Sequence, residues 1–193
     1  MRLLVLGPQG SGKGTQATRI ATERAIPHIS TGEMFRAAIA ADTELGRQVE
    51  PILAAGLLVP DGVTVALIRE RLSWPDARRG FVLDGFPRNL AQAEVLDAML
   101  DEVGQPLDAV LFLDVADEVS LERLGRRAVI EDRDDDTPEA IGLRLAIYHE
   151  ETAPLVDHYR ATGRLVPLHG ERSIDEVATE IAEALDQLEG AAA

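Results

Sequence analysis

Between Gly7 and Thr15 the chain reads GPQGSGKGT, and the spacing of Gly7, Gly12 and Lys13 is that of a loop built to cradle phosphates. Gly10, Ser11, Gly12 and Gly14 leave backbone N–H groups free to converge on anionic oxygens. A helix N-terminus directly behind them adds partial positive charge. Lys13 adds a full one. In the usual pattern the hydroxyl that follows the lysine ligates Mg²⁺. Here Gly14 holds that place, and the hydroxyl arrives one residue later, on Thr15. The loop points to a nucleoside triphosphate and leaves open what manages the metal.

The other residues able to do chemistry are cations and one acid. DGFPR (84–88) puts Asp84 at the end of an apolar run, FVLD (81–84), the edge where open α/β sheets hold ligands. In isolation the same residues read as a Gly-Pro turn with a solvated arginine. Arg36, taken alone, reads equally well as an exposed helix cation. Glu122 stands four residues before Arg126, a spacing for a helix-surface ion pair, so Arg127 is the better functional candidate of the two.

Composition gives these few cations their weight. The chain has 34 acidic and 19 basic residues and a formal net charge of -15, which opposes bulk attraction to nucleic acid or to anionic membranes. A phosphate ligand must be drawn by a local cluster instead. Without cysteine there is neither a disulfide nor a Cys-ligated zinc, which fits a reducing compartment. The four histidines (28, 149, 158 and 169) lack metal-ligand spacing. No apolar run approaches the roughly 18 residues that span a bilayer. The short RLLVL run before the glycine loop does not resemble a signal peptide, so a cytoplasmic location is expected.

To position such a loop the chain needs a sheet. RLLVL (2–6), HIS (28–30), FVLD (81–84), AVLFLDV (109–115) and RLVPL (164–168) are the candidate strands. Helical patterns separate them, starting with about Lys13 to Arg24. The alternation specifies an α/β fold with a parallel sheet covered on both faces. With 193 residues, one domain is expected. Two stretches exceed the minimal alternation. Residues 30–59 hold two helical patterns closed by Gly56, a plausible small subdomain. AVIEDRDDDTPEA (128–140) reads as a mobile loop before a long helix, with Thr137 as N-cap and Pro138 in the first turn.

Together with GPQGSGKGT, the segments STGEMFR (30–36), GFVLDGFPRNLAQAE (80–94), LERLGRR (121–127), DRDDD (132–136) and RLAIYHEETAPLVDHY (144–159) resemble the adenylate kinase family of nucleoside monophosphate kinases. The resemblance spans nearly the whole chain. It implies a P-loop three-layer α/β/α fold with a five-stranded parallel sheet. The implied core is 1–29, 60–126 and 138–193, with an NMP-binding segment at 30–59 and a short lid at about 127–137. The implied reaction is ATP + AMP ⇌ 2 ADP, with Mg²⁺ held by Asp84 through a water, no structural zinc, and a monomer acting on ATP, AMP and ADP.

Carried over residue by residue, the resemblance assigns ATP to Gly10, Ser11, Gly12, Lys13, Gly14, Thr15, Arg123, Arg127, Gly170 and Arg172. AMP falls to Thr31, Gly32, Arg36, Val59, Gly85, Arg88, Gln92, Arg133 and Arg144. Lys13, Arg88, Arg123, Arg133 and Arg144 are the implied catalytic set. Planar, forked guanidiniums suit phosphoryl groups, and phosphoryl transfer is chiefly positioning plus charge stabilisation. Thr31 and Gln92 favour AMP, because the related UMP/CMP kinases tend to have alanine and asparagine there. Asp135 and Asp136 match paired lid acids. Two departures stand out: Asp132 replaces the glycine usual before the lid arginine, and Glu33 replaces a common aspartate. HGERSIDEV (169–177) resembles the turn that receives adenine and reads equally as a strand-to-helix turn capped by Ser173. Three rivals remain: a UMP/CMP-type kinase, a nucleotide-dependent switch and, against the full set of arginines, a structural protein that merely retains the fold.

Overall fold

The computed structural model describes residues 1–131 and 137–192, and side chains at all of these except 127–131, 191 and 192. The strands are β1 (Arg2–Leu6), β2 (His28–Ser30), β3 (Phe81–Asp84), β4 (Ala109–Asp114) and β5 (Leu165–His169). They form one five-stranded sheet in the order β2-β3-β1-β4-β5, and every pairing is parallel. The helices are α1 (Lys13–Arg24), α2 (Thr31–Ala40), α3 (Glu44–Ala54), α4 (Asp61–Leu72), α5 (Leu90–Glu102), α6 (Asp117–Glu131), α7 (Pro138–Ile147), α8 (Pro154–Ala161) and α9 (Ile174–Ala192). The α/β expectation holds.

Alternation along β1 shows why both faces are covered. Leu3 and Val5 point to one side, where Ala17 and Ile20 of α1 and Val177, Ile181 and Leu185 of α9 close over them. Leu4 and Leu6 point to the other, against Ile68 of α4, Ala93 and Leu96 of α5, and Leu155 and Tyr159 of α8. Removing such side chains from water is the main source of stability, about 1.5–3 kcal/mol for each large one. It also fixes where the strands end, and therefore where the loops begin.

Residues 30–59 form α2 and α3 as their pattern requires. Ser30 caps α2 by accepting from the Glu33 N–H at 3.4 Å, and Thr43 caps α3 by accepting from Gly46 at 3.0 Å. Gly56, at φ 74, ends the pair. Phe35, Val49 and Val59 make a separate small core between them. Glu33 sits in the first turn of α2, where an acid suits the helix dipole.

Four features differ from the sequence expectation. β4 stops at Asp114, and β5 lies one residue later than RLVPL, because Asp114 pairs with His169 in the ladder. Helix α6 continues to Glu131, four residues into the stretch read as loop; Ala128–Glu131 contains no Gly, Pro or capping residue to stop it. The long helix expected after Pro138 is divided. Tyr148–Thr152 forms a π-helical turn, with the Ala153 N–H donating to the Tyr148 carbonyl at 2.8 Å, and Pro154 restarts the helix as α8. Thr137 does cap α7, accepting from Ala140 at 3.2 Å with Pro138 at the first position. Residues 132–136, which include Asp132, Arg133, Asp135 and Asp136, lie outside the described residues, as does the Arg127 side chain.

Candidate active site

The phosphate loop follows directly from β1. Leu6 is the last strand residue, and α1 begins at Lys13 with no side-chain cap, so its first-turn N–H groups face the loop. The Lys13 ammonium donates to the carbonyls of Gly7 and Pro8, both at 2.7 Å, closing the loop on itself. Gly10 must be glycine. It has φ 81, and a Cβ there would stand 2.5 Å from the Ser120 carbonyl oxygen at the start of α6.

Register brings Asp84 to the same edge, because Val5 of β1 pairs with Asp84 of β3 and Ser30 of β2 pairs with it on the other side. Burial pushes the Asp84 carboxyl up, but His28, Lys13 and Arg88 outweigh it and hold the group below the usual carboxylate range. Asp84 is therefore ionised. His28 Nε2 lies 3.6 Å from Asp84 Oδ2. A Cβ on Gly14 would come within 3.5 Å of the same oxygen, so the residue that displaced the usual hydroxyl leaves the carboxylate uncovered on that side. Mg²⁺ keeps several waters and leans on substrate phosphates. A single ionised carboxylate beside the phosphate loop fits such an ion.

Arg88 is held by its backbone and its side chain. Its N–H donates to Gln92 Oε1 at 2.7 Å, its carbonyl accepts from Thr152 Oγ1 at 2.7 Å, and its Nε donates to the Gly85 carbonyl at 2.9 Å. Thr31 Oγ1 donates to that same Gly85 carbonyl at 2.9 Å. Burial lowers the Arg88 pKa, Asp84 opposes this, and Arg144 and Arg36 lower it further. Arg36 and Arg144 thus both press on the Arg88 guanidinium, an arrangement that an anion placed beside it relieves. Arg144, on α7, also donates to the Leu53 carbonyl at the end of α3, at 3.1 Å.

At the opposite end of the cleft, Arg123 of α6 donates to the Gly170 carbonyl at 2.8 Å and to the Glu171 carbonyl at 3.1 Å. This turn is built by Ser173. Its hydroxyl accepts from the Glu176 N–H at 3.3 Å, while the Glu176 carboxylate accepts from the Ser173 N–H at 3.0 Å. The turn is thus a capping box, as Ser173 suggested. Glu122 and Arg126 make the expected surface pair, at 2.5 Å.

One continuous cleft of about 1030 Å³ unites these parts. Every sequence-derived site residue whose side chain is described lines it, from the phosphate loop through Thr31, Gly32, Arg36 and Val59 to Gly85, Arg88, Gln92, Arg144, Gly170 and Arg172. Sequence reasoning missed Asp61, Asn89 and Thr152. Asn89 carried a signal, a capping residue just before a helix, and it does accept from the Gln92 N–H at 2.9 Å. Asp61 and Thr152 meet their partners only through tertiary folding and left no local trace.

A phosphate loop at the carboxyl edge of a parallel sheet, facing a second cluster of arginines across one cleft, defines a P-loop protein of the nucleotide-phosphotransferase class. Residues 5–164 match the family model for adenylate kinase. The adenylate kinase of Stenotrophomonas maltophilia (strain K279a) is 51% identical over 185 residues, covering 96% of this chain and 99% of the relative. That of Cyanothece sp. is 50% identical over 189 residues, covering 98% and 97%. That of Xanthomonas euvesicatoria is 49% identical over 185 residues, covering 96% and 99%. The chain belongs to the adenylate kinase family and is a nucleoside monophosphate kinase. No helix among the described residues is long and apolar enough to cross a membrane.

Proposed function

We propose that the protein catalyses ATP + AMP ⇌ 2 ADP with Mg²⁺, as a cytoplasmic monomer. The observation that carries this reading is that Arg36, Arg88 and Arg144 share one cleft with Lys13 and its loop. A triphosphate-binding switch needs only one phosphate cluster, whereas a kinase acting on a monophosphate needs two. The relatives' name supports adenylate as the acceptor, and so do Thr31 and Gln92.

In this mechanism the backbone of Gly10–Thr15 and the Lys13 ammonium hold the donor phosphates. Gly170, Arg172 and Arg123 border the donor base, with Arg127 nearby. Arg36 and Arg88 clamp the acceptor phosphate, with Arg144 and, from the lid, Arg133 completing the positive surround. Charge spreads over three equatorial oxygens as the phosphoryl group moves, and fixed guanidiniums stabilise it without reorganising. No general base is required, since a monophosphate oxygen is ionised at neutral pH. Asp84 would hold Mg²⁺ through a water; when bound, the ion neutralises charge on the donor phosphates. The segments 30–59 and about 127–137 act as the two closing pieces that exclude water and prevent hydrolysis of ATP.

The test is an acceptor panel with Mg-ATP. AMP should be phosphorylated with a kcat/KM at least about 10²-fold above CMP and UMP, as expected where a site's polar groups pair with only one base. Equal use of CMP or UMP would move the assignment to the pyrimidine branch. Hydrolysis of ATP with no acceptor turnover would move it to a switch.

A further inference from the structure

Among the residues that leave no local trace in the sequence, Asp61 occupies the most constrained position. It opens α4, and its Oδ1 accepts from Gln92 Nε2 at 2.6 Å. Asn89 Nδ2 donates to both of its oxygens, at 3.1 and 3.2 Å. On the other side of the same amide, Gln92 Oε1 accepts from the Arg88 N–H at 2.7 Å. Gln92 is 2% exposed and lines the cleft. We infer that Asp61 is a specificity-determining positioning residue, which fixes the direction of the Gln92 amide and thereby lets the acceptor site tell adenine from guanine.

The chemistry follows from what each partner is able to offer. In these contacts the Asp61 carboxylate accepts and the backbone N–H of Arg88 donates. Asp61 therefore demands the amino end of Gln92 and Arg88 demands the oxygen end. A flipped amide would set oxygen against carboxylate and amino group against N–H. The amide has two N–H donors and two acceptor lone pairs, and each wall partner uses one. One donor and one acceptor are left for a base, in a fixed order. Adenine and guanine carry opposite polarity at the 6-position, an amino donor in one and a carbonyl acceptor in the other. A glutamine free to turn over would suit either purine, whereas a glutamine held at both ends suits one. Asn89 restrains the carboxylate that does the holding, and it also caps the helix that carries Gln92.

This inference rests on the reading of AMP as acceptor with Gln92 facing its base, and the experiment separates the two. Asp61→Ala and Asp61→Ser, the latter keeping a residue suited to the start of a helix, are assayed with ATP against AMP and GMP, with thermal unfolding followed in parallel. The AMP-to-GMP ratio of kcat/KM should fall about tenfold in both, the factor associated with one net hydrogen bond. The loss should appear in KM for AMP while KM for ATP holds. Asp61→Asn keeps one acceptor oxygen in place and should recover most of the ratio. A merely structural role would lower AMP and GMP turnover together and leave the ratio unmoved. A ratio that stays within about twofold in the Asp61 variants, while Gln92→Ala lowers it, refutes the lock and keeps the base reading. If Gln92→Ala leaves the ratio unmoved as well, Gln92 does not read the base, and the lock falls with it.

Discussion

Lys13 and Arg88 solve the same problem in different ways. Lys13 reaches back to two loop carbonyls, so its ammonium both shapes the loop and charges it. Arg88 is fixed through its own backbone, by Gln92 on one side and Thr152 on the other, before any ligand arrives. Pre-positioned charge of this kind is the strongest means of rate enhancement open to an enzyme without covalent chemistry. Lys13→Met keeps the length of the stem and removes the charge. Turnover should fall about 10³-fold, the scale of removing one transition-state donor. The unfolding midpoint should move by only a few degrees, since the lost bonds run to a partly buried loop. A variant turning over within about tenfold of the parent would remove Lys13 from the mechanism. The cations themselves were legible in the sequence, Lys13 from its loop and the arginines from their matching segments. Their supports, Asp61 and Thr152, were not. An aspartate after a proline, or a threonine in a helical stretch, has no signature until folding brings it to a partner 31 or 64 residues away.

At the scale of elements, strands were easier to read than the ends of helices. β1, β3 and β4 are apolar runs stopped by glycine or aspartate, and their burial leaves little freedom. Helix α6 outran its expected end because nothing between Ala128 and Glu131 breaks a helix. The π-helical turn at Tyr148–Thr152 lies directly before Pro154, which has no N–H to continue the helical ladder, and its Thr152 donates to the Arg88 carbonyl. The tie between β1 and β4 belongs to this scale as well. Asp108, just before β4, accepts from the Arg2 backbone N–H at 2.6 Å and from Arg2 Nη2 at 2.9 Å. Burial raises the Asp108 pKa, but the bonds from Arg2 outweigh this and hold it below the ordinary value. A carboxyl lowered in the folded state stabilises above its unfolded pKa, and that stability is lost as pH falls through the folded one. Asp108→Asn should therefore cost about 1 kcal/mol at pH 7, the low end for a charged bond because the pair is partly open to solvent. In urea titrations the gap between parent and variant should close below about pH 4. A gap independent of pH would mean that the charge on Asp108 does not matter.

The whole molecule carries a formal net charge of -15, yet it gathers Lys13, Arg36, Arg88, Arg123 and Arg144 along one cleft. An acidic surface around a basic cleft confines phosphate binding to one place. It also makes the folded state repel itself, and monovalent salt screens that repulsion, with a Debye length falling from about 30 Å at 0.01 M to about 8 Å at 0.15 M. The thermal midpoint, followed by calorimetry, should rise by a few degrees over that range. A falling midpoint would mean that the surface ion pairs outweigh the net charge. The central claim is that this cleft holds two adenine nucleotides and passes phosphate between them. The most direct test is ³¹P NMR of the purified protein with Mg²⁺ and ADP as the only nucleotide. ATP and AMP appearing together in equal amounts is the expected result. ADP that persists unchanged would contradict it.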